Sequence, residues 1–146
     1  MTNVKPMIVG WLCVFAAFTS CTSQKQVSTP DEWKGNFIRF GKGGGFAGKS
    51  TVFVLLENGQ IFAQQAWSNT YKQIPGINRK NAKHIFGQAS NIVYPNTPIN
   101  EPGNVFKELQ VSLKAKKIHL IWSDGNAAIT PEINELHQKL FSLIKN

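Results

Sequence analysis

Thr51-Val-Phe-Val-Leu-Leu-Glu57-Asn58-Gly59-Gln60-Ile61-Phe-Ala-Gln-Gln-Ala-Trp67 is the stretch that decides the fold. Val52, Val54 and Leu56 alternate with Thr51, Phe53 and Leu55, the period of two that sends successive side chains to opposite faces of a sheet. Asn58-Gly59 supplies the positive φ angles of a two-residue hairpin turn, and Ile61 to Trp67 returns as an antiparallel strand. The chain therefore commits to a sheet early.

Upstream, Asn36 to Phe40 reads as a strand with Phe37 and Arg39 on one face and Ile38 and Phe40 on the other, and the loop Gly43-Gly44-Gly45 follows. Downstream, Asn78 is placed to cap a helix whose apolar face is Ala82, Ile85, Phe86 and Ala89, at spacings of three and four. Pro95, Pro98 and Pro102 make Tyr94 to Gly103 a loop, since proline suits neither a helix interior nor a central strand. Leu109, Val111 and Leu113 then share one face of a strand, and Ile118, Leu120 and Trp122 that of the next. Lys114 to Lys117 turns between them. Thr130 and Pro131 open a last helix with Glu132 and Glu135 near its positive end and Ile133, Leu136, Leu140, Leu143 and Ile144 as its buried stripe. The predicted order is βββαββα: an α+β fold with a single antiparallel sheet of about five strands and both helices on one face.

The N-terminus has a different character. Lys5 precedes an uncharged, largely apolar run from Met7 to Phe18, then Thr19, Ser20 and Cys21, which is the order of a secretory signal. The apolar run is shorter than the ~20 residues of a membrane-spanning helix. Phe18-Thr19-Ser20-Cys21 resembles a bacterial lipobox, with Phe18 where that motif prefers leucine. The resemblance implies cleavage before Cys21 and acyl chains on it, and two or more such chains make a stable anchor. Cys13 would be removed with the signal, leaving one cysteine whose use is lipidation. The expected organisation is a signal peptide over 1–20, lipidated Cys21 with a flexible tether over 21–34, and an α+β domain over 35–146. The expected location is the bacterial cell envelope, outside the cytoplasm and attached to the membrane through Cys21.

The formal net charge is +8, and loss of Lys5 leaves 15 basic against 8 acidic side chains, or +7. Arg79, Lys80 and Lys83, or Lys114, Lys116 and Lys117, could contact phosphates in the cytoplasm. An exported protein rarely meets nucleic acid, so these lysines are read as a solvated surface. Gly43 to Ser50 matches the phosphate-binding pattern GxxxxGK[ST] letter for letter. That pattern works only when the Lys and Ser begin a helix, and here Ser50 opens a strand. No nucleotide, metal or other cofactor is expected. His84, His119 and His137 lack ligand spacing and read as surface or locally hydrogen-bonded residues, and no nucleophile elbow is present. The chain reads as a non-enzyme.

One further likeness spans Phe37 to Leu143. A strand, Gly44-Gly45-Phe46-Ala47-Gly48, a strand, a helix, two strands and Ser123-Asp124-Gly125 to Pro131 resemble the emfourin-type inhibitors of thermolysin-like metallopeptidases. Gly43 stands where those proteins carry serine, and the hairpin Glu57 to Ile61 and Asn100-Glu101-Pro102-Gly103 depart from their pattern. The domain is also similar to lipoproteins of Bacteroidetes-like bacteria with a Gly-Gly-Gly-Phe loop and an Asn-Glu-Pro-Gly segment, a closer likeness that brings no activity. The inhibitor resemblance implies a non-catalytic protein-binding module, with a metallopeptidase as partner and Gly43, Gly44, Gly45, Phe46, Ala47 and Gly48 as contact. Two readings compete at Phe46: a ring folded into the core beneath a tight turn, or an exposed apolar anchor. The competing function classes are a structural or envelope-maintenance lipoprotein and an enzyme without a recognisable motif.

Overall fold

Alternation of the kind read at Thr51 recurs along most of the chain, and each alternating run is a strand. The computed structural model describes residues 26–46, 48–65 and 68–144. The signal stretch 1–20, Cys21, Ala47 and Trp67 lie outside them. The strands are β1 (Phe37–Gly44), β2 (Lys49–Leu56), β3 (Ile61–Gln64), β4 (Tyr71–Ile74), β5 (Ile99–Glu101), β6 (Val105–Leu113) and β7 (Lys116–Trp122). Helices α1 (Arg79–Asn91) and α2 (Pro131–Ser142) complete the set. All seven strands form one sheet in the order β4-β3-β2-β1-β6-β7-β5, antiparallel except where β5 runs parallel to β7. Among the described residues no helix is long and apolar enough to cross a membrane.

The α+β architecture with two helices packed on one sheet is as expected, but the order is ββββαβββα, with seven strands instead of about five. Both missed strands are edges. β4 is four residues long and only half-buried at Tyr71 and Ile74, so its alternation carries little apolar signal. β5 is three residues between Pro98 and Pro102, and at an edge a flanking proline interrupts no ladder. The segment Tyr94 to Gly103 is therefore not wholly loop.

One face of the sheet carries the main core. Ile38, Phe40, Phe53, Leu55, Leu109, Val111, Leu120 and Trp122 meet Ile85, Phe86 and Ala89 of α1 and Ile133, Leu136 and Leu140 of α2. Register explains the sharing: Phe40 lies opposite both Phe53 and Leu109, and Leu109 opposite Leu120. Asn78 caps α1 by accepting the Asn81 N–H at 2.8 Å, and the buried residues of α1 are the four its periodicity selects. Thr130 occupies the N-cap position of α2 but makes no side-chain cap bond.

The opposite face holds a smaller cluster of Val27, Val54, Leu56 and Phe62, flanked by Trp33, Phe37 and Tyr71. Val27 is held by Gln60, which accepts its N–H at 3.1 Å and donates to its carbonyl at 3.0 Å. A short 3-10 turn, Pro30–Glu32, leads to Trp33, whose indole N–H donates to Asn36 O at 2.9 Å. The tether expected over 21–34 is thus not free between Val27 and Trp33. Two scattered apolar side chains in a polar stretch find partners on the sheet face that no helix covers.

The hairpin turn also differs from expectation. The Gly59 N–H donates to Leu56 O, and the Leu56 N–H to Gln60 O, both at 2.9 Å. The loop is therefore three residues, Glu57-Asn58-Gly59, with its one glycine, Gly59, at φ +94°. That is the pattern of a turn followed by a left-handed bulge residue. Asn58 Oδ1 accepts the Gln60 N–H at 3.0 Å and its amide donates to Gln60 Oε1 at 2.7 Å, so the side chain helps set the longer loop. The turn between β6 and β7 is shorter than Lys114 to Lys117, because Leu113 already pairs with Lys116.

Candidate functional site

The β1–β2 hairpin begins inside the sheet and ends outside it. Gly43 and Gly44 are not loop residues, because they pair with Ser50 and Lys49 on one side and with Phe106 and Val105 on the other. A Cβ on Gly43 would meet the Phe106 ring at 2.7 Å, and one on Gly44, at φ +93°, would meet Asn104 O at 2.1 Å. These two glycines let β6 pack closely. Of the six residues expected as the contact, Gly43 and Gly44 thus have β6 against them and do not stand open to a partner.

The open part is the tip. The Gly45 N–H donates to Asn104 O at 2.7 Å and the Gly48 N–H to Gly45 O at 3.0 Å, which closes the turn around residues 45–48. Gly45 and Gly48 take φ +75° and +58°, and a Cβ on either would meet nothing within 4 Å. Between them Phe46 has a relative exposure of 112%. An apolar ring at that exposure contributes nothing to the core, so of the two readings the buried one fails. Val105, opposite Gly44 on β6, is exposed at 58%, and Lys42 and Lys49 flank the tip with exposed side chains. The arrangement is an apolar point on a hydrogen-bonded base, with the Lys42 ammonium turned to the Phe141 ring, 5.2 Å from its centroid. Ala47 lies outside the described residues.

The root of this hairpin is fastened by a residue read only as a surface or locally bonded histidine. His137 on α2 is 4% exposed and donates from Nε2 to Gly41 O at 2.9 Å. Its ring lies against Trp122 and Phe141, with centroids at 5.3 and 4.9 Å. Burial holds its pKa below the ordinary histidine range. The Gly41 bond opposes that shift, Lys107 and Lys42 reinforce it, and Asp124 opposes it. The signal was present in the sequence, since 137 continues the 133, 136, 140 spacing of the stripe on α2. Lys107 in turn pairs with Asp124, which holds that carboxyl below its usual range.

A second polar group lies on the sheet face away from the helices. Glu108, nearly buried, accepts from Arg39 Nε at 3.1 Å and lies 3.2 Å from His119 Nε2. The three come from neighbouring strands β1, β6 and β7, so no spacing along the chain brings them together. His119 faces outward as alternation requires. Among the described residues no three His, Cys, Asp or Glu side chains gather to hold a metal. Lys49 and Ser50 open strand β2, so the helix N-terminus that a phosphate would need does not follow them. A cavity of about 520 Å³ between the C-terminal end of α1 and the start of α2, lined by Asn91, Val93, Glu135 and Lys139 among others, brings a single cation and two carboxylates together. No family model matches the chain, and no curated protein matches it.

Proposed function

We propose that this chain is an extracytoplasmic lipoprotein, anchored through Cys21, whose domain is a non-catalytic protein-binding module with the β1–β2 tip as its contact. The observation that carries the binding-module part of this reading is the full exposure of Phe46 on a paired, glycine-bounded hairpin, while the anchor rests on the order Lys5, Met7 to Phe18 and Cys21 in the sequence. A large apolar ring in solvent on a hydrogen-bonded turn is the form of an interface anchor, and truncating such anchors typically costs about 1 kcal/mol or more of affinity. The tip needs no ordering of a long loop before it binds, which lowers the cost of association.

The partner class is a metallopeptidase of the thermolysin type, as the inhibitor resemblance implies, and the chain meets it by insertion of Phe46. The test is peptidase activity measured with and without the Cys21→Ser chain, which keeps the domain and removes the acylation site. Dose-dependent inhibition that Phe46→Ala weakens supports the reading. Unchanged peptidase activity across the titration returns the chain to the envelope-maintenance class.

A further inference from the structure

We propose that the end of the domain opposite the Phe46 tip rests on an anionic lipid surface, so that the tip points away from the membrane. The proposal rests on lipidation of Cys21. Five residues, Thr22 to Gln26, separate Cys21 from Val27, and six fully extended Cα steps span only about 20 Å. Val27 is buried and doubly hydrogen-bonded to Gln60. A membrane that holds Cys21 therefore holds the β2–β3 turn close to its surface.

That turn gathers the other elements of the same end. The Ile77 N–H donates to Gly59 O at 2.9 Å, which brings the start of α1 there. Asn36 donates from Nδ2 to Glu57 at 2.7 Å and accepts the Lys114 N–H at 3.0 Å, which brings the β6–β7 turn. Lys34, Arg79, Lys80, Lys83, Lys114 and Lys117 are all exposed at this end. Asp31, Glu32 and Glu57 share it, so six cations stand against three carboxylates for a net of +3. Two of those carboxylates are engaged, Glu57 by Asn36 and Glu32 by the Ser28 N–H. The tip end carries a smaller excess, Lys42, Lys49 and Lys107 against Glu101 and Asp124 for a net of +1, with Lys107 paired to Asp124 and Glu101 bonded by Asn126.

An unpaired basic surface held within a short tether of phosphate headgroups is drawn onto them, and each lysine near an anionic leaflet contributes about fivefold in partitioning. β1 then runs away from the membrane for eight residues, about 25 Å at strand rise, before the tip. The contact ring is thereby presented to soluble partners instead of lipid.

The test uses the chain from Thr22 onward, which lacks both the apolar run Met7 to Phe18 and Cys21, with vesicles of phosphatidylglycerol mixed with phosphatidylcholine, and vesicles of phosphatidylcholine alone. Binding to the anionic vesicles only, weakened by salt, is expected. Lys80→Gln, Lys83→Gln and Lys114→Gln together should lose about a hundredfold in partitioning, while Lys42→Gln, Lys49→Gln and Lys107→Gln together should change it less than about threefold. Thermal melts of both triple variants check that each is folded. Equal losses from the two triples, or no preference for anionic vesicles, would overturn the proposal. Because that chain carries no acyl group, the vesicle result is independent of lipidation. Palmitate labelling of the wild-type chain in growing bacteria reads lipidation separately, and an unlabelled chain would remove the anchor and with it the orientation.

Discussion

Two neighbouring hairpins share strand β2 and put their glycines to opposite uses. At the β2–β3 turn, Gly59 sits where a Cβ would lie 2.1 Å from Ile77 O, and Asn58 and Gln60 are buried in hydrogen bonds that reach Val27. At the β1–β2 turn, Gly45 and Gly48 have the same sign of φ but open space around them, and the residue between them that the structure describes, Phe46, is wholly exposed. Positive φ alone thus says where the chain turns and nothing about why. The surroundings separate a turn that holds the fold together from one that projects a side chain.

The contrast breaks most visibly at the glycines. Gly59→Ala combines a left-handed backbone with a clash against backbone that has no room to move, and a loss of about 3 kcal/mol in unfolding free energy is expected. Gly45→Ala meets only the left-handed penalty, roughly 1 kcal/mol. Denaturant melts of the pair would erase the distinction if the two losses were equal. Gln60→Ala removes the bonds to Val27 and Asn58 and leaves buried groups unsatisfied, which should cost about 2 kcal/mol. If that loss were absent, the docking of the N-terminal segment would contribute nothing to the fold.

Much of the β1–β2–β3 framework was legible because its signals are local. Val52 to Leu56 alternate, Asn58-Gly59 punctuates, and Asn78 with Ala82, Ile85, Phe86 and Ala89 spells one face of a helix. What escaped depends on partners distant in sequence. Val27 has meaning only once Gln60 is beside it, 33 residues later. Arg39, Glu108 and His119 meet only when β6 lies between β1 and β7. At the candidate site the glycines were visible but their roles were not, since Gly43 and Gly44 are required by Phe106 and Asn104 on another strand. The exposure of Phe46 was undecidable from a sequence in which every other phenylalanine of β1 and β2 is a candidate for the core.

The root of the tip hairpin should respond to pH. Burial depresses the pKa of His137 in the folded state, so the unfolded chain, titrating near ~6.5, binds a proton first. Stability is therefore complete above that value and is lost as pH falls through it toward the depressed folded pKa. Melting temperatures followed from pH 8 downward should fall below about 6.5, and His137→Gln should flatten that slope. A wild-type slope no steeper than that of His137→Gln would mean that the histidine is not buried as described.

The smallest expected effect on stability falls on the residue with the largest expected effect on binding. Phe46→Ala should leave the melting temperature within about 3 °C of the parent, as for an exposed substitution. Measured beside it, inhibition of a thermolysin-type peptidase by the Cys21→Ser chain should weaken by about fivefold or more. A loss of about 3 to 5 kcal/mol in stability would instead assign the ring to the core, and unchanged inhibition with an unchanged melting temperature would remove the tip from the interface.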